Sequence, residues 1–155
     1  GVRYLSRQTD EKVNRTRAPH KLLADIVQQP SSRVRSALIS LLLAHPSFAE
    51  HVHAALKSLP PEQAQTLKLF YTAAVLLQRQ YATPLQKFLG VEWRWLPELF
   101  SAEFNLPAAA PLKQLRVLAK LHQQRTGMTL NWAGTYENAA RHLLSRWELE
   151  QTWNL

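Results

Sequence analysis

A chain of 155 residues without cysteine excludes disulfides, thiolate nucleophiles and cysteine-based zinc sites. Its 19 Lys and Arg residues outnumber its 11 Asp and Glu residues, and the resulting net charge of +8 favours a polyanionic partner. No apolar run reaches the roughly 18 residues that span a bilayer, and the N-terminus has no apolar signal core. We therefore expect no membrane partner and a cytoplasmic location.

The positive charge is concentrated at the N-terminus. The first 35 residues hold eight basic and three acidic side chains, and 8 − 3 leaves +5 of the total +8. Residues 1–17 are polar and basic with scattered apolar positions, and we interpret them as an arm. Residues 18–155 have the length and apolar content of a single domain.

Proline and glycine divide this domain into blocks of helical length. No segment alternates polar and apolar residues over the distance that a half-buried strand needs. Pro19 suits the first turn of a helix that ends before Pro30. A serine at 31 or 32 then caps a second helix, which ends at Pro46. Helical spacing predicts that its apolar stripe comprises Val34, Ala37, Leu38, Leu41 and Leu42, with His45 at its end.

A third helix follows Pro46, and a fourth is predicted over 61–81. The middle of the fourth helix is so apolar that we expect burial on more than one side. Thr83-Pro84 predicts the cap and first turn of a short helix that ends at Gly90.

Residues 90–107 contain several aromatic side chains and are predicted to form a loop with one or two short helices, which is also the best place for a subdomain joint. A helix is predicted over 111–125, with Gly127 as its C-cap, and Gly134-Thr135 opens a last helix that ends near Gln151. The sequence therefore predicts an all-α fold, a compact bundle of six or seven helices with a basic N-terminal arm.

No group of residues has the spacing of a catalytic or metal site. The six histidines include no i, i+4 pair with a Glu between them, and Asp10 and Asp25 are the only aspartates. The chain also lacks a phosphate-binding glycine loop and a Gly-x-Ser-x-Gly turn. We expect no enzymatic activity, no cofactor and no bound metal.

The basic residues are better candidates for function. On the helix that begins at Pro111, three cations follow i, i+3, i+7 spacing, which places them on one helix face. An ordinary solvated face has the same spacing, so both interpretations stay open here. The predicted nucleic-acid-binding residues are Arg3, Arg7, Arg15, Arg17, Lys21, Arg33, Arg35, Lys113, Arg116 and Lys120.

The aromatic segment has two interpretations as well. Trp93-Arg94-Trp95 interleaves two indoles with a cation, as a base-stacking platform would, although tryptophans also fill protein cores. Exposed aromatic side chains would equally anchor a protein partner, because such residues dominate interface energetics. The predicted partner-binding residues are Trp93, Trp95, Phe100 and Phe104.

Residues 35–49, RSALISLLLAHPSFA, resemble the opening of the helicase-binding C-terminal domain of bacterial primases. In that family an apolar helix ends at a polar residue followed by proline, here His45-Pro46, and a short helix comes next. The apolar helix predicted over 61–81 is compatible with the resemblance, which ends before Trp93. It implies a docking module for a replication partner and assigns no functional residue.

These observations predict a non-catalytic helical binding module that associates with nucleic acid through basic patches. The alternative is a protein–protein docking module in a replication, defence or other multi-component assembly. Binding to nucleic acid would weaken steeply with added salt, whereas docking through aromatic anchors would tolerate salt.

Overall fold

The computed structural model describes residues 18–126 and 132–153, and these residues form helices and connecting segments without a strand. The α-helices are α1 Pro19–Val27, α2 Ser32–Arg35, α3 Ala37–Ala44, α4 Val52–Lys57, α5 Pro61–Gln80, α6 Ala82–Leu89, α7 Pro111–Thr126 and α8 Trp132–Trp153, with 3₁₀ helices at Pro46–His51 and Gly90–Glu92. The predicted all-α bundle is confirmed. The predicted arm and the predicted C-cap at Gly127 lie outside the described residues.

The predicted second helix is divided into α2 and α3. Ser36 separates them and keeps helical backbone angles, so the two pieces are nearly continuous. The predicted stripe is wrong at both ends, because Val34, Ala37 and His45 are exposed. The buried face of α3 consists of Leu38, Ile39, Leu42 and Leu43.

Two other predicted helix starts differ from the structure. α6 begins at Ala82, so Pro84 lies inside its first turn, where the missing N–H leaves no helical hydrogen bond unmade. It ends at Gly90 as predicted, and the φ of 56° there is a conformation that glycine adopts at no steric cost. α8 begins at Trp132, so Gly134 belongs to the first turn of the helix and does not precede it.

α5 is the centre of the bundle. It packs against α1, α3, α6, α7 and α8. Leu67 and every residue from 69 to 78 are buried, which confirms that this helix is enclosed on more than one side. A helix without a solvent face must place each of its polar side chains against a partner, because an unpaired buried polar group costs about 1–3 kcal/mol.

Two polar side chains of α5 hold the chain segment that follows α6. The amide of Gln78 donates from Nε2 to the carbonyl of Arg94 at 2.7 Å, and its Oε1 accepts the N–H of Leu96 at 2.8 Å. Two turns earlier, the Tyr71 hydroxyl donates to the carbonyl of Pro97 at 2.6 Å. Burial raises the pKa of Tyr71, which keeps this hydroxyl protonated and able to donate. The segment is thereby fixed along α5.

A single helical turn comes next and closes with a Schellman-type pair of hydrogen bonds. Asn105 has a φ of 51°, and its N–H donates to the carbonyl of Ala102 at 3.2 Å. The N–H of Leu106 donates to the carbonyl of Ser101 at 3.5 Å. The turn packs Phe100 edge-on against α5, so the aromatic segment is a loop with one short turn that lies on the central helix.

We expect Gln78→Met to lower the free energy of unfolding by about 2–3 kcal/mol, because methionine fills the same space but leaves the N–H of Leu96 and the carbonyl of Arg94 without their partner. Gln80→Met is the matched control, since Gln80 lies on the same helix and is exposed. We expect it to change the free energy of unfolding by less than about 0.5 kcal/mol. Urea unfolding followed by circular dichroism measures both, and equal effects would contradict this role of Gln78.

Candidate nucleic-acid interface

α7 turns one face to the bundle and the other to solvent. The buried stripe, which packs against α5 and α8, is Leu115, Leu118, Ala119 and His122. Lys113, Arg116 and Lys120 are exposed. The three cations therefore share the solvent side of the helix, as their spacing predicts, and we call these three residues the α7 cationic face. From first to last they span about 10 Å of helix axis, at about 1.5 Å per residue.

The α7 cationic face lies in a stretch of sequence without negative charge. No Asp or Glu occurs between Glu103 and Glu137. Within the part of the chain that the structure describes, none of the three cations forms an ion pair. Their positive charge is consequently open to solvent and is not neutralised by neighbouring side chains.

Four cations on other elements are paired in the described structure. Ion pairs join Lys68 to Glu103, Arg79 to Glu98, Arg94 to Glu50 and Arg141 to Glu137, with N–O distances of 3.0, 3.1, 3.8 and 3.3 Å respectively. Surface pairs of this kind contribute little to stability, but they reduce the local positive charge. Among the described helices, α7 therefore has the largest set of unpaired cations on one face.

The N-terminal candidates are mostly beyond the described structure. Arg3, Arg7, Arg15 and Arg17 lie outside the described residues. Lys21 is exposed on α1, which packs against α4 and the 3₁₀ helix Pro46–His51, whereas α7 packs against α5 and α8. Arg33 lies within α2.

Arg35 differs from the exposed cations because part of its side chain is enclosed. Its Nε is buried and has no hydrogen-bond partner in the described part of the chain. Its charge also acts on His122, on the buried stripe of α7, and lowers the pKa of that histidine. Arg35 is therefore half-buried, with its Nε turned toward the bundle, and its role as a phosphate contact stays a prediction.

The four aromatic candidates divide into two pairs. Trp95 keeps 56% of its surface exposed, and Trp93 is half-buried, with the two rings in an edge-to-face contact at 5.0 Å between centroids. Phe100 and Phe104 are 7% and 4% exposed. The turn at 100–105 buries both side chains. A docking protein cannot reach them, so the prediction that they anchor a partner is wrong.

His122 and Tyr136 form a buried polar pair that the sequence analysis did not single out. His122 Nδ1 lies 2.6 Å from the Tyr136 hydroxyl, and both rings contact Phe70 of α5 edge-on. Burial, and secondly the charge of Arg35, lowers the pKa of His122 to about 4, so the imidazole is neutral at pH 7. Burial also raises the pKa of Tyr136. The pair joins α5, α7 and α8 and has no open access for a substrate.

The other histidines with ring contacts pack against phenylalanine. His45 and His51 lie 5.9 and 6.4 Å from Phe48, and His53 lies 6.1 Å from Phe100, in edge-to-face arrangements. Among the described residues, no group of three or more His, Asp or Glu side chains has the geometry to hold a metal ion.

Comparison with known proteins assigns no family to the chain. No protein-family model, curated protein or solved structure matches it. The resemblance of residues 35–49 to the primase domain therefore stays a prediction. Of the helices in the described ranges, none has the length and hydropathy to cross a membrane.

We expect His122 to make the protein less stable in acid. Its pKa is 6.5 in the unfolded chain and about 4 in the folded state. Between these two pH values the unfolded chain binds a proton at His122 that the folded chain does not bind. The contribution of neutral His122 to the free energy of unfolding is therefore complete above pH 6.5 and is lost as the pH falls toward 4. The loss reaches about 3 kcal/mol at most.

The variant His122→Gln keeps a polar side chain but does not titrate, so its urea midpoint should depend less on pH than that of the parent. His142→Gln serves as the control, because His142 is exposed on α8. A pH dependence that is the same in the parent and in His122→Gln would show that other groups cause the acid sensitivity.

Proposed function

We propose that this chain is a non-catalytic helical module that associates with nucleic acid through the α7 cationic face, in a cytoplasmic setting. The observation that supports the proposal is the set of three exposed cations without ion pairs on one helix face. Dense Lys and Arg gain free energy on a polyphosphate by releasing condensed counterions, and this gain needs no preformed pocket.

The dimensions of the α7 cationic face suit a phosphate backbone. Its length of about 10 Å equals about three phosphate-to-phosphate steps of one strand, at about 3.4 Å of duplex axis per step. Lys113 and Lys120 supply point charges at the two ends, and Arg116 between them supplies a planar fork for two phosphate oxygens. Contacts of this type fix position on the backbone but do not read bases, so we expect little dependence on sequence.

We expect the variant Lys113→Gln, Arg116→Gln, Lys120→Gln to bind DNA and RNA more weakly than the parent. On duplex DNA, the slope of log affinity against log salt concentration should decrease by about 2–3, because each lost phosphate contact contributes about 0.9. Fluorescence anisotropy of labelled single- and double-stranded oligonucleotides, titrated at several salt concentrations, measures affinity and slope together.

The matched control removes three exposed cations from other helices, by the substitutions Lys57→Gln, Lys87→Gln and Arg146→Gln. Both triple variants carry 8 − 3 = +5, so the control separates the arrangement of the charges from their number. Equal loss of affinity in both variants would show that only net charge matters. Unchanged binding after loss of the α7 cationic face would contradict the proposal.

The basic N-terminal residues are a second predicted contact with the same polyanion. Charge reversal of Arg15, Arg17 and Lys21 together should weaken binding strongly at low salt, because it changes the local charge by six units in a stretch that has few acidic residues. The same anisotropy titration measures the effect. Binding by this variant that equals the parent's would remove the arm from the proposed interface.

A further inference from the structure

The outer edge of the segment around Trp95 has a free pair of main-chain hydrogen-bonding groups. Gln78 binds the carbonyl of Arg94 and the N–H of Leu96, which are the two groups that flank Trp95 on one side of an extended chain. In extended backbone, the N–H and C=O of the residue between them point to the opposite side. Neither group of Trp95 has a hydrogen bond within the described residues.

Apolar side chains are exposed close to Trp95 in the sequence. Trp95 is 56% exposed, Val91 is fully exposed, and Trp93 contacts Trp95 edge-to-face at 5.0 Å. Leu96, the next residue, points the other way and is buried at 4% exposure. Leu96 therefore anchors the segment on the bundle and the half-buried Trp93 packs against the core, whereas most of the Trp95 indole remains exposed to a partner.

The charges next to this edge identify the chemistry of a partner. Glu92 is exposed and forms no ion pair in the described structure, and Glu98 is paired with Arg79. Arg94 is paired with Glu50. Among the described residues 91–98, the unpaired charge is that of Glu92, and the cation Arg94 is already paired, so this stretch is a poor fit for a phosphate backbone. A second copy of the segment paired in antiparallel fashion about Trp95 would place Glu92 opposite Glu98, which is unfavourable.

We infer that residues 93–97 are a docking edge for an extended, basic peptide segment of a partner protein. The peptide main chain would pair with the N–H and C=O of Trp95, as in strand addition to a sheet edge. An apolar side chain of the peptide would pack on Trp93 and Trp95, and a Lys or Arg would approach Glu92 and the indole faces. This edge shares no residue with the α7 cationic face, so the two proposals stand or fall independently.

Amide hydrogen exchange by NMR on the free protein tests the edge itself. The Leu96 amide, bound by Gln78, should exchange at least tenfold more slowly than the Trp95 amide, which has no acceptor in the described structure. Equal protection of the two amides would show that the outer edge is already occupied and would overturn the inference.

Selection from a phage-displayed library of random dodecapeptides tests the occupant. We expect the parent to retain peptides rich in Lys and Arg with one or two apolar residues. Trp95→Ala should weaken a selected synthetic peptide at least tenfold, and Trp95→Pro should weaken it several-fold more, because proline also removes the N–H donor while keeping extended backbone. Leu149→Ala, which removes a side chain that is 60% exposed on α8, should leave the affinity unchanged.

Three results would overturn the inference. Selected peptides that bind the parent and Trp95→Pro equally would place the binding site elsewhere. A concentration-dependent dimer that Trp95→Pro abolishes in analytical ultracentrifugation would assign the edge to a second copy of the chain. A single-stranded oligonucleotide could also quench Trp95 fluorescence. If that quenching is absent in Trp95→Phe while Trp93 emission is unchanged, the edge binds bases by stacking.

Discussion

The burial of α5 is the constraint on which the rest of the structure depends. From residue 69 to residue 78 this helix has no solvent-facing position, so every neighbouring element must supply it with a complementary surface. Apolar side chains of α1, α3, α7 and α8 pack against α5 and supply most of this surface. The aromatic segment after α6 completes the enclosure through Gln78 and Tyr71.

The same constraint determines which groups remain free. α7 must turn its apolar stripe and His122 toward Phe70, and this rotation leaves the α7 cationic face in solvent. Gln78 must find partners inside the bundle, and by binding the groups on both sides of Trp95 it leaves that residue's own N–H and C=O on the outside. Two surfaces of opposite chemistry result: cations without nearby acids on α7, and indoles beside Glu92 on the docking edge.

Much of the fold could be predicted from the sequence because its helix boundaries are local. Pro19, Pro46, Pro61, Gly90 and Pro111 each begin or end a helix within one or two residues of the predicted position. The exposed side of α7 was predictable for a similar reason, since spacing along one helix fixes the relative directions of its own side chains.

The remaining features depend on contacts between distant parts of the chain. Helical spacing places His122 on the same face as Leu115 and Leu118, which predicts that it is buried. The sequence around His122 does not predict its contact with the Tyr136 hydroxyl, because Tyr136 lies on another helix. The enclosure of Arg35 depends in the same way on packing that its own helix does not determine. The burial of Phe100 and Phe104 depends on how the turn at 100–105 packs on α5, and the prolines at 97 and 107 indicate the ends of that turn but not its packing.

We propose that binding to a polyanion depends on the arrangement of cations on α7 and not on the net charge of the chain. The most direct test is an NMR titration of the ¹⁵N-labelled chain with a short DNA duplex at low salt, in which backbone amide shifts report the contact site. We expect the largest shift changes to fall on residues 113–120 and to reverse on addition of salt. Shift changes that avoid α7, or that are spread evenly over all exposed Lys and Arg positions, would contradict it.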